Sequence, residues 1–587
     1  MQISPVSRIE APLVPWRSSL IVLATLVCIG VVQTFMLPHI TSIDVPGKFL
    51  QEGEVQDGVV RIIGSSATTA SFDLHLQSGI LPPPEWYSVL IVGAVDQLTV
   101  NGQDVEKKHD YAYSRIGPLL NRSASNIVHV TMHLVDPLPL FVFGLEPSIW
   151  GLITGGLFLL GCGVLLAWMI WLKKDFADAP TWIVVCGGVF LRYFYMSATP
   201  YYARAYDFHG HIDVIRYIAE HLSLPPTRLL WEAYQMPLYY VLLAPLYRLV
   251  SWFGLSFHEA AAVLRLPSFL FSVLTLFVGV RLAQRVFQKD VVSLRIVAML
   301  LATFPWLLYL SSQITNDVLT TFVGFLWIAV LYRALAEPSR RTWAMVGMAC
   351  GIGILSKMSA APWVAVSMLC AFLPPSHAPF RRRMWNIVTV PVVAFVVGGW
   401  FYALRKLVDP GFGLIANAFH QWGAPPLLLT LRGLFGFNLV RLIHLPFRQF
   451  DAGGFPDDHI FIEDLIRTAH FGSVSLSPEA AILFVLLIAP MIALFVGLFQ
   501  EVKKRHLEDA IIIFGLLSAM LIMRLQYPFP PSQHFRYAAV IALPCILLIA
   551  RGMSIPRSTI LRAFFHVSAG VYALVCGAIV FAIAATG

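Results

Sequence analysis

Residues 206–240 read YDFHGHIDVIRYIAEHLSLPPTRLLWEAYQMPLYY, a polar island between apolar stretches. The island opens with Asp207, His209 and His211. It closes with Glu232, Gln235 and the aromatic pair Tyr239-Tyr240. A helix starting near Asp207 puts His211 one turn on and on the same face. Ile212, Ile215, Ile218 or Ala219, and Leu222 then recur at helical spacing, with Asp213, Arg216 and Glu220 on the other side. This pattern predicts a helix lying on a membrane surface, apolar side down, and ended by Pro225-Pro226. The island reads as the floor of an active site at the edge of a bilayer; the alternative is an ordinary amphipathic connector.

The sequence around it sets the class. Of 587 residues, 57% are hydrophobic and 13% are charged, and the mean hydropathy is +0.72. Apolar runs of about 17–25 residues recur along the chain, each long enough to cross a hydrocarbon core as helix. The expected fold is a polytopic α-helical membrane protein. The net charge of +8 comes from short Lys/Arg clusters at loop ends, as in cytoplasmic loops, and not from a nucleic-acid footprint. All seven cysteines lie in apolar stretches, with no spacing for zinc or disulfides.

Residues 1–40 carry Arg8 and Arg17 before an apolar run and read as a retained signal-anchor helix. Residues 41–140 differ in kind. Phe72, Leu74 and Leu76 alternate with Asp73 and His75, and Val128, Val130 and Met132 alternate with His129 and Thr131. Asn101-Gly102 is a hairpin turn signal. These residues are expected to form a small extracytoplasmic β-sandwich. Residues 141–178 supply a second added span. Residues 179–405 form the main membrane module, with an outer loop at 197–263. Residues 406–478 are a long outer loop, and residues 479–587 hold the last spans. Every basic cluster falls on one side only if Leu238–Phe253 does not cross; at about 16 residues it makes roughly 24 Å of helix against a core of about 30 Å. The count is then about 13 transmembrane helices, by the length needed to span.

On that map Asp207, Asp317, Lys357 and Arg536 share the outer side. Two carboxylates at one polar pocket suit general-base work and the orientation of a nucleophile or cation. The alternative for Asp317 is a helix cap or dipole partner. Lys357, between two short apolar runs, is a recessed ammonium that needs an anion. With Arg536, beside His534 and Tyr537, it suits a phosphate or pyrophosphate. Asp207, His209 and His211 also carry metal-ligand atoms, so a divalent metal is an open alternative. Asp457–His459 reads as a solvated loop.

In this order the residues resemble the C-type glycosyltransferase (GT-C) superfamily. The likeness is greatest to its protein-mannosyltransferase and aminoarabinose-transferase (family 39-like) branch. The matching features are Asp207 and His211 in an Asp-x-x-x-His motif, Pro237–Tyr240, Arg265–Ser268, Asn316-Asp317, Gly351, Gly353 and Lys357, and Arg536-Tyr537. The resemblance implies a polyprenyl-phosphate-linked sugar as donor, inverting transfer, and Asp207 as base. The remaining site candidates are Asp317 and His211 for catalysis, and Lys357, Arg536, Tyr537, His534, Gln235, Tyr239 and Glu232 for contacts to the donor phosphate or substrate. The expected acceptor is a lipid, glycan or protein, and the site is expected to face the periplasm from a bacterial inner membrane. Phe208 stands where the family has a paired acid, and Met236-Pro237 where it has Pro-Pro. The competing class is a non-catalytic polysaccharide or glycolipid export or transport protein, for which mid-span acids and paired half-sequences would be the signs.

Overall fold

The structure is a computed structural model that describes residues 39–44, 55–56, 59–60, 69–77, 87–92, 94–105, 111–115, 125–133, 140–145, 179–199, 207–227, 229–253, 257–372, 380–409, 412, 430–444, 446, 460–472, 478–526 and 534–585. The signal-anchor run, the span expected within residues 149–172 and Asp457–His459 lie outside the described residues. The chain divides into two compact units: Met1–Ile183 with Ser256–Glu259 and Gly587, and Val184–Leu255 with Ala260–Thr586.

The first unit contains β1 (His39–Asp44), β2 (Val55–Gln56), β3 (Val59–Val60), β4 (Thr69–Gln77), β5 (Tyr87–Val92), β6 (Ala94–Val100), β7 (Gln103–Asp104), β8 (Tyr111–Arg115), β9 (Ser125–His133) and β10 (Leu140–Leu145). They form a five-stranded sheet ordered β1-β4-β9-β6-β7, a three-stranded sheet ordered β10-β5-β8, and the pair β2-β3. Pairing is antiparallel throughout. The alternation read from the sequence sets the register. Phe72 and Leu98 face Val130, and Leu74 and Val100 face Val128, so apolar residues line up across three strands. Asn101 (φ 51°) and Gly102 (φ 81°) make the β6–β7 turn, as the left-handed tolerance of Asn-Gly predicts. β10 carries strand pairing to Leu145, past the residue-140 boundary.

The longer helices are α1 (Ala179–Ala198), α2 (Phe208–His221), α3 (Leu238–Trp252), α4 (Phe257–Val286), α5 (Val291–Thr303), α6 (Asn316–Ala336), α7 (Arg340–Ser356), α8 (Pro362–Phe372), α9 (Phe380–Ala394), α10 (Trp400–Val408), α11 (Phe461–Phe471), α12 (Ile488–Lys503), α13 (Glu508–Gln526), α14 (Ala542–Ser554) and α15 (Thr559–Ala585). Among the described residues, five stretches are long and apolar enough to cross a membrane: Ala260–Val286, Asn316–Ala336, Arg383–Val408, Ile482–Lys503 and Thr559–Phe581. Val291–Thr303, Met358–Phe372 and Ala539–Ser554 are apolar but shorter. Helix α3 has 15 residues, about 22 Å of helix.

Helix α2 differs from the surface-lying expectation in one respect. Its apolar side, with Ile212, Ile215, Ile218 and Ala219, is buried within the protein, and α2 packs on α3. It is α3 that leaves Val241, Leu242, Leu249 and Trp252 exposed. An amphipathic pattern shows which face is apolar, not whether lipid or a second helix covers it.

Close helix contacts hold the site-bearing ends. Helix α7 packs on α6 and α9. A Cβ on Gly398 would sit 2.1 Å from the Gly351 carbonyl oxygen, and one on Gly353 would sit 2.4 Å from the Trp363 ring. These glycines let α7 approach its neighbours up to its C-cap, Lys357. Arg192 is fully buried. Its guanidinium donates to Ser272 Oγ (3.0 Å) and to the carbonyls of Gly188 (3.0 Å), Ala302 (3.1 Å) and Leu301 (3.1 Å), tying α1 to α4 and α5.

Candidate active site

Asp207 is the N-cap of α2, at φ 54° and ψ 21°, and its side chain makes no cap hydrogen bond. The left-handed region is unfavourable for a side-chain-bearing residue, though Asp tolerates it better than most. Its carboxylate is turned instead to Arg536, with Nη1 3.2 Å from Asp207 Oδ2 across 329 residues of sequence. The Asp207 side chain is 36% exposed and that of Arg536 11%.

Arg536 also donates from Nη2 to the Tyr537 hydroxyl at 3.0 Å, and its guanidinium lies 5.0 Å from the centroid of that ring. Lys357 Nζ lies 5.2 Å from the same centroid. Lys357 donates to Asp317 Oδ1 at 2.6 Å, with both side chains buried. The four charged groups therefore form one chain through Tyr537: Asp207, Arg536, Lys357, Asp317. Asp317 is not the cap of its helix. Thr315 is, with its hydroxyl accepting from the Asp317 N–H and donating to Asp317 Oδ2 at 3.2 Å, so Oδ1 is left to the lysine.

A polar layer lies around this chain. Asn316 Nδ2 donates to Gln235 Oε1 at 3.1 Å, and Gln235 Nε2 donates to the Tyr234 hydroxyl at 2.9 Å. His211 is buried with Nδ1 2.8 Å from the Tyr240 hydroxyl. Burial pushes its imidazole down to about 4, against the pull of Asp207, so it is neutral at neutral pH. Tyr239 is buried, edge-on to His211 at 6.5 Å between centroids. Glu232 is buried beside Gly210 on α2, where a Cβ would meet Glu232 Cγ at 2.6 Å. His534 is buried and accepts at Nδ1 from the Arg536 N–H at 3.1 Å, with its ring 4.9 Å from that of Trp306. It shapes the turn that carries Arg536.

Among the described residues the metal alternative finds no converging ligand set. Among the described residues, no three His, Cys, Asp or Glu side chains gather as one could around an ion. His209 packs on Phe208 with ring centroids 3.8 Å apart, and His211 Nδ1 is engaged by Tyr240.

Sequence reasoning missed the support for Arg536. Thr468, on α11 of the long loop, accepts from the Phe535 N–H at 2.9 Å. Helix α11 is itself held by the Tyr309 hydroxyl, which donates to the His470 carbonyl oxygen at 2.6 Å. A threonine in an amphipathic loop helix carries no local signal of this. Its role depends on a turn 67 residues further on.

Chemically, the arrangement offers one partly exposed carboxylate, Asp207, and two cations linked through Tyr537. An anion binding to Arg536 or Lys357 would compete with the carboxylates that hold them, Asp207 and Asp317.

Residues 243–401 match the family described as dolichyl-phosphate-mannose-protein mannosyltransferase. That match spans residues 243–401 of the 587. The matched region covers α7, Lys357 and Asp317. A stretch of 119 residues is 30% identical to the lipopolysaccharide core galacturonosyltransferase RgtA of Rhizobium johnstonii, covering 20% of this chain and 23% of that protein. The chain is thus matched over less than a quarter of the length of this curated relative. The fold is similar to the oligosaccharyltransferase of Archaeoglobus fulgidus (TM-score 0.43, 14% identity, 68% of this chain and 53% of that one). It is also similar to ArnT from Cupriavidus metallidurans (TM-score 0.33, 14% identity, 64% of this chain and 78% of that one).

Proposed function

We propose that the protein is an integral-membrane glycosyltransferase that moves a sugar from a polyprenyl-phosphate donor to an acceptor hydroxyl. The observation that carries this reading is the charge chain Asp207–Arg536–Tyr537–Lys357–Asp317. It sets one accessible carboxylate beside two cations suited to a phosphate. Support also comes from the family description over residues 243–401, which names a polyprenyl-phosphate-linked sugar. The wider architecture of this proposal is about 13 spans, the count read from the apolar runs and loop charges, with the β-strands folded as an extracytoplasmic sandwich. The site opens to the periplasmic side of a bacterial inner membrane.

In the proposed reaction Asp207 accepts the proton of the acceptor hydroxyl as its oxygen attacks the sugar's anomeric carbon. The bond from that carbon to the phosphate oxygen breaks on the opposite face, which inverts the configuration. The electron pair leaves with the polyprenyl phosphate, whose growing charge is met by Arg536 and Lys357. Asp317 holds Lys357 in place. His211, uncharged, adds no positive field that would weaken Asp207 as a base.

The test is turnover by the purified protein in detergent with polyprenyl-phosphate sugars and, separately, with UDP- and GDP-sugars, each with envelope lipid, glycan and protein acceptors. Transfer from lipid-linked donors only is expected. Transfer from nucleotide sugars and none from lipid-linked ones refutes the proposal.

A further inference from the structure

Six acidic side chains are buried among the described residues: Glu232, Asp317, Glu463, Asp464, Glu501 and Asp509. Five of them have a cation within ion-pairing distance. Asp317 has Lys357, Glu463 and Asp464 share Arg467, and Glu501 and Asp509 share Arg551. Glu232 is the exception among the described residues. It is 2% exposed, and its Oε2 has no hydrogen-bond partner there. An isolated ionised carboxylate in such a place is strongly disfavoured and takes up a proton instead.

Its position makes the proton useful. Gly210 lies three residues after Asp207, and its missing side chain leaves the space that the Glu232 stem fills. The groups close enough to act on Glu232 electrostatically are Asp207, Lys357 and Arg536, with Tyr234 and Tyr240. Gln235 hydrogen-bonds the carboxyl. We propose that Glu232 serves as an uncharged carboxylic acid whose O–H donates to an oxygen substituent of the transferred sugar, making it a specificity-determining residue beside the base. The inference rests on the glycosyltransferase reading of the site. Burial, and after it the Asp207 carboxylate, push the Glu232 carboxyl up to about 7. The donor form is therefore present below neutral pH and is lost as pH rises through that value.

The experiment has two arms on the full-length protein in detergent. The first records the infrared carbonyl stretch of protonated carboxylic acids from pH 5 to 9 in wild type and Glu232→Gln, without substrate. A band that disappears on raising the pH through about 7 in wild type, and is missing in the variant, is expected. Identical spectra overturn the proposal. The second arm uses a polyprenyl-phosphate hexose and the matching uronic acid donor, with polyprenyl phosphate release as readout. Glu232→Gln keeps an N–H donor and should stay within about threefold of wild type at pH 6, with the alkaline fall in kcat/KM removed. Glu232→Met fills the space without a donor and should lose about tenfold to a hundredfold, the scale for one hydrogen bond left unmade in a closed site. Equal losses in the Gln and Met variants overturn the proposal, because they mean that an ionised carboxylate is needed. Wild-type protein that releases polyprenyl phosphate from neither donor, yet shows the titrating band, refutes the function reading and the sugar-binding role with it, while leaving the protonated acid established.

Discussion

Lys357 Nζ and Asp317 Oδ1 lie 2.6 Å apart with both side chains buried, so each depends on the other for a counter-charge. Removing one partner of such a pair strands the other and costs about 3–5 kcal/mol, whereas removing both does far less. Lys357→Met should therefore lower thermal stability in detergent more than the double variant Lys357→Met/Asp317→Asn. If the single and double variants melt together, the ion pair does not hold the ends of α6 and α7.

Asp207 offers a different test, because its side chain is partly exposed and makes no cap bond. Asp207→Asn keeps an acceptor for Arg536 and removes the basicity. Turnover should fall at least about a hundredfold, the usual scale for a lost general base, with the melting temperature within error of wild type. Near-normal turnover in the purified variant removes Asp207 from the base role.

How far this site can be read from the sequence depends on how local its causes are. The apolar runs, the alternation in β4 and β9 and the Asn101-Gly102 turn are local, and they settle helix, strand and hairpin there. Asp317 and Lys357 announce themselves as charges at the ends of apolar runs. Nothing local says that each is the other's partner, or that Arg536 reaches Asp207. Those pairings depend on how the helices pack. The fit of Glu232 against Gly210 is invisible for the same reason: a glycine in an amphipathic helix does not say which side chain takes the space.

Thr468 tests the support that the sequence did not show. Its hydroxyl accepts from the Phe535 N–H, next to Arg536. Thr468→Val keeps the shape and leaves that N–H unpaired, a cost of about 1–3 kcal/mol, and it frees the turn that aims Arg536. On the function proposed above, KM for the lipid-linked donor should rise while KM for the acceptor stays constant. Thr468→Ser should restore both. A uniform loss of folded protein, with unchanged constants in what remains, would assign Thr468 to stability alone.

His470 gives a pH test of the fold independent of any substrate. Its Nδ1–H donates to the Ile466 carbonyl oxygen at 2.7 Å, so Nε2 is the acceptor for the Tyr572 hydroxyl at 2.6 Å. Both nitrogens are satisfied in the neutral ring. Protonation puts a second N–H against a hydroxyl that already donates, inside a buried site. Burial accordingly pushes His470 down to about 4, with only the Ile466 bond opposing. The unfolded chain takes up its proton near 6.5. Between those values the unfolded state holds the extra proton, so stability rises with pH. The contribution of His470 is fully present above about 6.5 and is lost as pH falls towards 4, at up to about 1.4 kcal/mol per pH unit. His211, also pushed down to about 4 by burial, acts in the same direction, and Glu232, pushed up to about 7, acts against both. The comparison must therefore be between wild type and His470→Gln, in which Glu232 and His211 are unchanged. The variant is expected to be less stable at pH 7.5 but to lose less on acidification, so the two melting curves converge between pH 6.5 and 4.5. A constant gap between them over that range would mean that His470 titrates alike in the folded and unfolded protein.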